Sequence, residues 1–284
     1  MKTANAMQLK ARIKKQAELL NVSPQLMMQD YLLERLLERL SLSPWRDKMI
    51  LKGGLLIASL IGIASRTTKD LDTTITGFTL THESAEKAFR EICGIALDDD
   101  LYFEIVRTED IRETDDYPGI RVFIKAHYPP LNVPLSVDVT TGDVVTPSAV
   151  EYSYPLTFDD RVIHIMAYPI ETVMAEKLET VLSRSIANTR PRDYYDIVKI
   201  WTIKRDAIDI NTLRRALRAT AKKRGSENAL LHFASIIDLI ANDHIMQARW
   251  KTYCRDYRYV GDLGFDAACR VILGILEAIM GKDS

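Results

Sequence analysis

Apolar positions along this chain switch between two periods, and the switches mark its elements. Residues 5–21 carry a polar helical pattern. Ser23 and Pro24 then open a second helix, because a serine oxygen accepts free N–H groups at an N-cap and proline's fixed φ suits the first helical position. Leu32, Leu33, Leu36, Leu37 and Leu40 recur at helical spacing, so that helix buries one face. Residues 49–52 predict a short strand, Gly53-Gly54 a turn, and LLIASLIGIA (residues 55–64) a helix apolar on all sides and therefore buried. The period then drops to two. Leu71, Thr73 and Ile75 alternate with Asp70, Asp72 and Thr74, which predicts a strand. A helix over 83–97 follows, then strands over 101–108, 119–128 and 134–140, the first two joined by the acidic turn EDIRETDDYPG. The stretch 141–160 reads as loop, and the chain is helical in pattern from Pro169 to about residue 280. The expected organisation is a mixed α/β domain over 1–160 with helices leading in, and a helical domain over 161–284.

Composition narrows this picture. With 284 residues and 47% hydrophobic composition, the chain can bury a substantial core in two lobes. A net charge of -1 excludes attraction of the whole molecule to nucleic acid or anionic lipid, so any polynucleotide site must be a local patch. Cys93, Cys254 and Cys269 are far apart, lack zinc spacing and cannot all pair, as expected of a reduced, cytosolic protein. The first twenty residues lack the apolar core of a signal peptide, and the most apolar run, Leu55 to Ala64, is too short for a bilayer. A cytoplasmic location without membrane attachment is the expectation.

Asp70 and Asp72 carry the strongest chemical signal. Residues two apart on a strand share a face, and two carboxylates side by side repel unless a cation lies between them. Mg²⁺ prefers such hard oxygen ligands and also grips phosphate. PLSVDVTTGD repeats the logic, with Asp138 leaving the apolar face set by Leu135, Val137 and Val139. Were the two strands neighbours, three carboxylates could hold one or two metals, and two ions about 4 Å apart suit in-line attack on a phosphate. Gly53 and Gly54 precede the buried helix, where backbone N–H groups bind anions and glycine allows close approach. Surface aspartates on an edge strand, and a glycine pair that merely turns the chain, would carry the same letters.

The segment PIETVMAEKLETVLSRSIANTR is an amphipathic helix with Ile170, Val173, Met174, Leu178 and Val181 as its apolar stripe. Lys177 falls within that stripe. A charge there needs a counter-charge, which a nucleotide triphosphate or a carboxylate supplies. Arg184 lies seven residues on, near the same face. In RPRDYYD, Pro191 opens a helix, Asp193 suits the positive end of its dipole, and Asp196 can pair with Arg192.

Taken in order, these pieces resemble a known family. The chain looks like the AbiEii-type nucleotidyltransferase toxins of type IV toxin–antitoxin and phage-exclusion systems, a group that includes the MenT enzymes. The matching stretches run from about residue 50 to about 200: LKGG with its apolar helix, SRTTKDLD, the strand holding Asp138, YPIETVMAEKLETVLSR and NTRPRDYYDI. The resemblance implies an α+β fold, a polymerase-β-like nucleotidyltransferase core with a mixed sheet followed by a helical C-terminal lobe. It implies Mg²⁺ or Mn²⁺ on Asp70 and Asp72, with Asp138 as a third carboxylate. Catalysis would rest on Asp70, Asp72, Lys177 and Asp193, and NTP binding on Gly53, Gly54, Arg66, Thr68, Lys177 and Arg184. A tRNA 3′ end as acceptor, a cognate antitoxin and a role in phage defence follow as further expectations. One departure stands out: the broader superfamily has Gly-Ser before the buried helix, where this chain has Gly53-Gly54.

Residues 199–224 hold nine Lys or Arg and two Asp, and Arg214, Arg218 and Lys222 recur every four residues as a basic stripe. Such a stripe is either a phosphate-binding face for RNA or an ordinary solvated helix face. The five histidines form no cluster. A metal-dependent nuclease, or a non-catalytic nucleotide- or RNA-binding module, would use similar residues. The nuclease reading is disfavoured because its usual lysine sits on a strand two residues from an acid, whereas Lys177 is helical in pattern.

Overall fold

The structure, a computed structural model, describes residues 3–66, 68, 70–111 and 119–281. The acidic turn expected before the second long strand lies largely outside them, at 112–118. The described chain divides into two compact units, Met1–Asp143 with Ala149–Ala167, and Val144–Ser148 with Tyr168–Ser284.

The first unit begins with α1 (Ala6–Leu19) and α2 (Pro24–Ser41), with Ser23 Oγ accepting from the Leu26 N–H at 3.2 Å. Then come β1 (Met49–Lys52), α3 (Gly53–Ile61), β2 (Leu71–Ile75), α4 (His82–Cys93), β3 (Tyr102–Asp110), β4 (Gly119–Tyr128), β5 (Leu131–Thr141), β6 (Val150–Pro155) and β7 (Val162–Ala167). The strands form one mixed sheet in the order β3-β4-β5-β2-β1-β7-β6. β2 runs parallel to β5 and β1 parallel to β7, and the remaining pairs are antiparallel. Alternation puts Leu71, Val137, Val139, Ile120 and Val122 into the core, where α2 and α4 cover the sheet.

Two expectations are corrected here. The buried helix was expected to reach residue 64, but it ends at Ile61 because Gly62 takes φ +92°, outside helical space. The loop expected over 141–160 contains β6. Its Tyr152 and Tyr154 alternate with Glu151 and Ser153, a signal four residues long next to a proline, and it becomes a strand by pairing with β7. Because β7 in turn pairs with β1, the sheet extends to Ala167.

The second unit is helical: α5 (Ile170–Arg184), α6 (Pro191–Lys204), α7 (Ile210–Arg224), α8 (Glu227–Leu231), α9 (Phe233–Asn242), α10 (His244–Asp256) and α11 (Phe265–Met280). Thr146 joins it through reciprocal 3.0 Å hydrogen bonds with Thr172. Tyr194, Tyr195, Trp250, Tyr253 and Phe265 form an aromatic core between α6, α10 and α11.

α2 also buries charge. Asp30 and Glu34 lie one helical turn apart, both nearly inaccessible, and Glu34 accepts from the N–H and hydroxyl of Thr157 at 3.0 and 2.6 Å. Burial pushes the Asp30 carboxyl up to about 7 and the Glu34 carboxyl up to about 8, with the charge of Asp30 adding to the rise on Glu34. The fold therefore binds protons more tightly than the unfolded chain at these two groups. Their stabilisation is full below the ordinary carboxylate range and is lost as pH rises through about 7 to 8. We predict a lower thermal midpoint at pH 8.5 than at pH 6, by about 2 °C or more. Asp30→Asn should flatten that slope, and an unchanged slope in the variant would contradict the assignment.

Candidate nucleotidyl-transfer site

Strand register assembles the site within the first unit. Asp72 on β2 stands directly opposite Asp138 on β5. Asp138 stands opposite Arg121 on β4, Arg121 opposite Glu109 on β3, and Asp72 opposite Lys52 on β1. The result is one row across five strands, Glu109–Arg121–Asp138–Asp72–Lys52, in which Asp72 and Asp138 are the one like-charged neighbouring pair. Asp70 sits just before β2, so the expected acidic face is divided between a strand and the segment leading into it.

Each charge has defined partners. Arg121 holds Asp138 bidentately, its Nε and Nη2 donating to Oδ1 and Oδ2 at 2.6 and 2.7 Å. Lys52 Nζ donates to Thr140 Oγ1 at 2.7 Å and to Asp143 at 2.5 Å. Ser136 Oγ donates to Asp70 Oδ1 at 2.6 Å, and the Gly54 N–H donates to Asp72 Oδ2 at 3.1 Å. Asp72 keeps some exposed surface, yet enough protein surrounds it that desolvation is the largest influence raising its carboxyl. The negative charges of Asp138 and Asp70 push the same way, while the Gly54 N–H and Lys52 oppose them.

The glycine pair is required by packing. A Cβ on Gly53 would lie 2.0 Å from Asp72 Oδ2, and Gly53 has φ +63°. A Cβ on Gly54 would lie 2.4 Å from both Arg66 Nη1 and Thr68 Oγ1. Arg66 and Thr68 are buried, with Thr68 Oγ1 donating to the Asp70 carbonyl at 3.3 Å. The side chains of Arg66 and Thr68 thus fill the space a serine at position 54 would need, which accounts for the departure from Gly-Ser. The Gly54 N–H, expected as a free anion-binding group, is held by Asp72.

The second unit brings Lys177 and Asp193 together. Lys177 Nζ lies 2.7 Å from Asp193 Oδ1 and 2.9 Å from Asp196 Oδ2, with all three side chains largely buried. Carboxylates of α6 therefore answer the need for a counter-charge on the apolar stripe of α5. Asp196 pairs with Lys177, not with Arg192 as expected from their spacing, and Arg192 is exposed. Arg184 is half-buried at the end of α5. The basic stripe is shorter than its sequence, because Arg214 Nε donates to the Ile279 carbonyl at the end of α11; Arg218 and Lys222 are exposed.

The family described as nucleotidyl transferase AbiEii toxin, type IV toxin–antitoxin system, matches residues 35–271. The chain belongs to this AbiEii family. It is thus a nucleotidyltransferase of the toxin class, with the mixed-sheet α+β fold expected of it. Among solved structures, JHP933 from Helicobacter pylori is similar over 90% of this chain and 94% of its own, at 14% identity and TM-score 0.48. An antigenic nucleotidyltransferase-like protein from Paracoccidioides brasiliensis is similar over 64% and 83%, at 15% identity and TM-score 0.37. No curated protein matches the chain. Among the described residues, no helix is long and apolar enough to cross a membrane.

AbiEii membership implies an NTP substrate and, in general, a divalent metal. The chemistry of the donor set fits such an ion, with Asp72 desolvated and repelled by both Asp138 and Asp70. Among the described residues, no three acidic, histidine or cysteine side chains are gathered closely enough to hold a metal. Asp138, expected as third ligand, has both oxygens on Arg121. Arg121, Lys52 and Ser136 were missed in the sequence. Their signal was strand parity: Arg121 and Phe123 take the side opposite Ile120, Val122 and Ile124, and Ser136 shares the side of Asp138.

Gly53→Ala should destabilise the protein by about 1–3 kcal/mol, from strain at positive φ and displacement of Asp72. The urea midpoint measures this, and a midpoint equal to wild type would contradict the close packing of Gly53 on Asp72.

Proposed function

We propose that this AbiEii protein transfers a nucleotide from an NTP to an acceptor hydroxyl. The bond from the acceptor oxygen to the α-phosphorus forms, the bond from that phosphorus to the β-phosphate bridging oxygen breaks, and pyrophosphate leaves. The observation carrying this reading is the register of Asp72 against Asp138, with Asp70 beside them, which gathers like charges that a cation would relieve. Asp70 and Asp72 would hold Mg²⁺ or Mn²⁺, with Asp138 joining them. A divalent ion bound there would polarise the α-phosphate and favour loss of the acceptor proton.

The chain's own residues bind and orient the substrate. Gly53 and Gly54 keep side chains out of the approach to Asp72; Arg66 and Thr68, buried against Gly54, would turn a guanidinium and a hydroxyl to phosphate oxygens on substrate binding. Lys177 would balance the β- and γ-phosphates, with Asp193 and Asp196 fixing its ammonium, and Arg184 would add a second cation. The acceptor proposed is the tRNA 3′ end. The family resemblance supports it, and the exposed Arg218 and Lys222 on α7 would meet its phosphates. A cognate antitoxin and a part in phage defence belong to the same reading.

Asp72→Asn removes a metal ligand and also relieves a buried repulsion. We predict that transfer from α-labelled NTP falls about 100-fold or more, while the thermal midpoint holds or rises. Retained transfer would sink the assignment. Incubation with each α-labelled NTP, Mg²⁺ and total tRNA, resolved on a gel, identifies base and acceptor. RNA that shortens without NTP would point to hydrolysis instead. Inducible expression tests the toxin role, which predicts growth arrest in the wild type and none in Asp72→Asn.

A further inference from the structure

We infer that Arg121 is a tethered counter-cation that occupies Asp138 until a divalent ion displaces it, making the third carboxylate a conditional ligand. This inference rests on the metal-dependent reading above.

Five observations carry it. Arg121 and Asp138 are directly opposed in register and joined by two charge-assisted bonds of 2.6 and 2.7 Å, so neither carboxylate oxygen is bare. Asp138 is the neighbour of Asp72 across the β2–β5 pair, so whatever neutralises Asp138 also weakens the repulsion on Asp72. The Arg121 side chain is 41% exposed, whereas that of Asp138 is 18% exposed. The guanidinium can therefore leave toward water while the carboxylate stays. A resting place exists, since Glu109 stands opposite Arg121 on β3, with its side chain about half exposed and already beside Arg107 at 2.6 Å. Lys52, the cation at the other end of the row, is committed elsewhere, its ammonium on Thr140 and Asp143.

The physical consequence is competition. One guanidinium and one divalent ion cannot both hold the same two oxygens, and the ion additionally gains Asp70 and Asp72. Arg121 acts through Asp138 and is a positioning residue. It keeps the acid row balanced when the metal is away, and it sets the metal affinity by the bonds that must be broken.

The test is Mn²⁺ binding followed by electron paramagnetic resonance and calorimetry on the full chain without nucleotide. It compares wild type, Arg121→Gln, Arg121→Lys, Asp72→Asn, and Arg121→Gln combined with Asp138→Asn. Arg121→Gln should tighten Mn²⁺ by about tenfold or more, the scale of a charge-assisted pair removed. Arg121→Lys should fall between it and wild type, and the added Asp138→Asn should cancel the gain. The metal-free Arg121→Gln protein should melt below wild type and recover when Mn²⁺ is added. Equal or weaker Mn²⁺ binding in Arg121→Gln, with wild-type binding still sensitive to Asp72→Asn, would overturn the role of Arg121 and leave the metal site standing. Mn²⁺ binding that is absent in every variant, or indifferent to Asp72→Asn, would overturn both.

Discussion

Two carboxylates on adjacent parallel strands, Asp72 and Asp138, are brought into register by the pairing of β2 with β5. Slipping either strand by one residue would carry Leu71 or Val137 out of the core, so apolar burial enforces the electrostatic conflict. The rest of the site answers that conflict. Arg121 grips Asp138, the Gly54 N–H reaches Asp72, and Ser136 holds Asp70. Gly53 and Gly54 lack side chains because Asp72, Arg66 and Thr68 fill the space beside them.

The helical unit solves a similar problem with a different outcome. Lys177 lies on the apolar stripe of α5, and Asp193 and Asp196 of α6 surround its ammonium. Both contacts are short, 2.7 and 2.9 Å, and all three side chains are largely buried.

Much of this was legible in the sequence because it rests on short-range rules. Ser23-Pro24, the period-two alternation around Asp72 and Asp138, and the stripe on α5 each follow from local geometry, and the Gly53-Gly54 pair marked the turn between strand and buried helix. Other features depended on pairings that no local window contains. Arg121 became part of the site through its partner on β5, seventeen residues on. β6 became a strand through β7, and Arg214 left the basic stripe because the end of α11 offered it a carbonyl. Asp196 shows the same limit: Arg192 is its helical neighbour, but Lys177, largely buried on α5, is the cation it meets. The family resemblance rests on the order of motifs along the chain, which a sequence displays directly.

The central claim, that Asp70 and Asp72 form a cation site, is tested most directly by a crystal of the protein grown with Mn²⁺ and a non-hydrolysable NTP. The account predicts an anomalous peak within about 2.1 Å of oxygens from both carboxylates, with Asp138 turned from Arg121 toward the ion. A map in which manganese lies away from both acids, or in which Asp72 stays bonded to Gly54 with no ion beside it, would contradict the account.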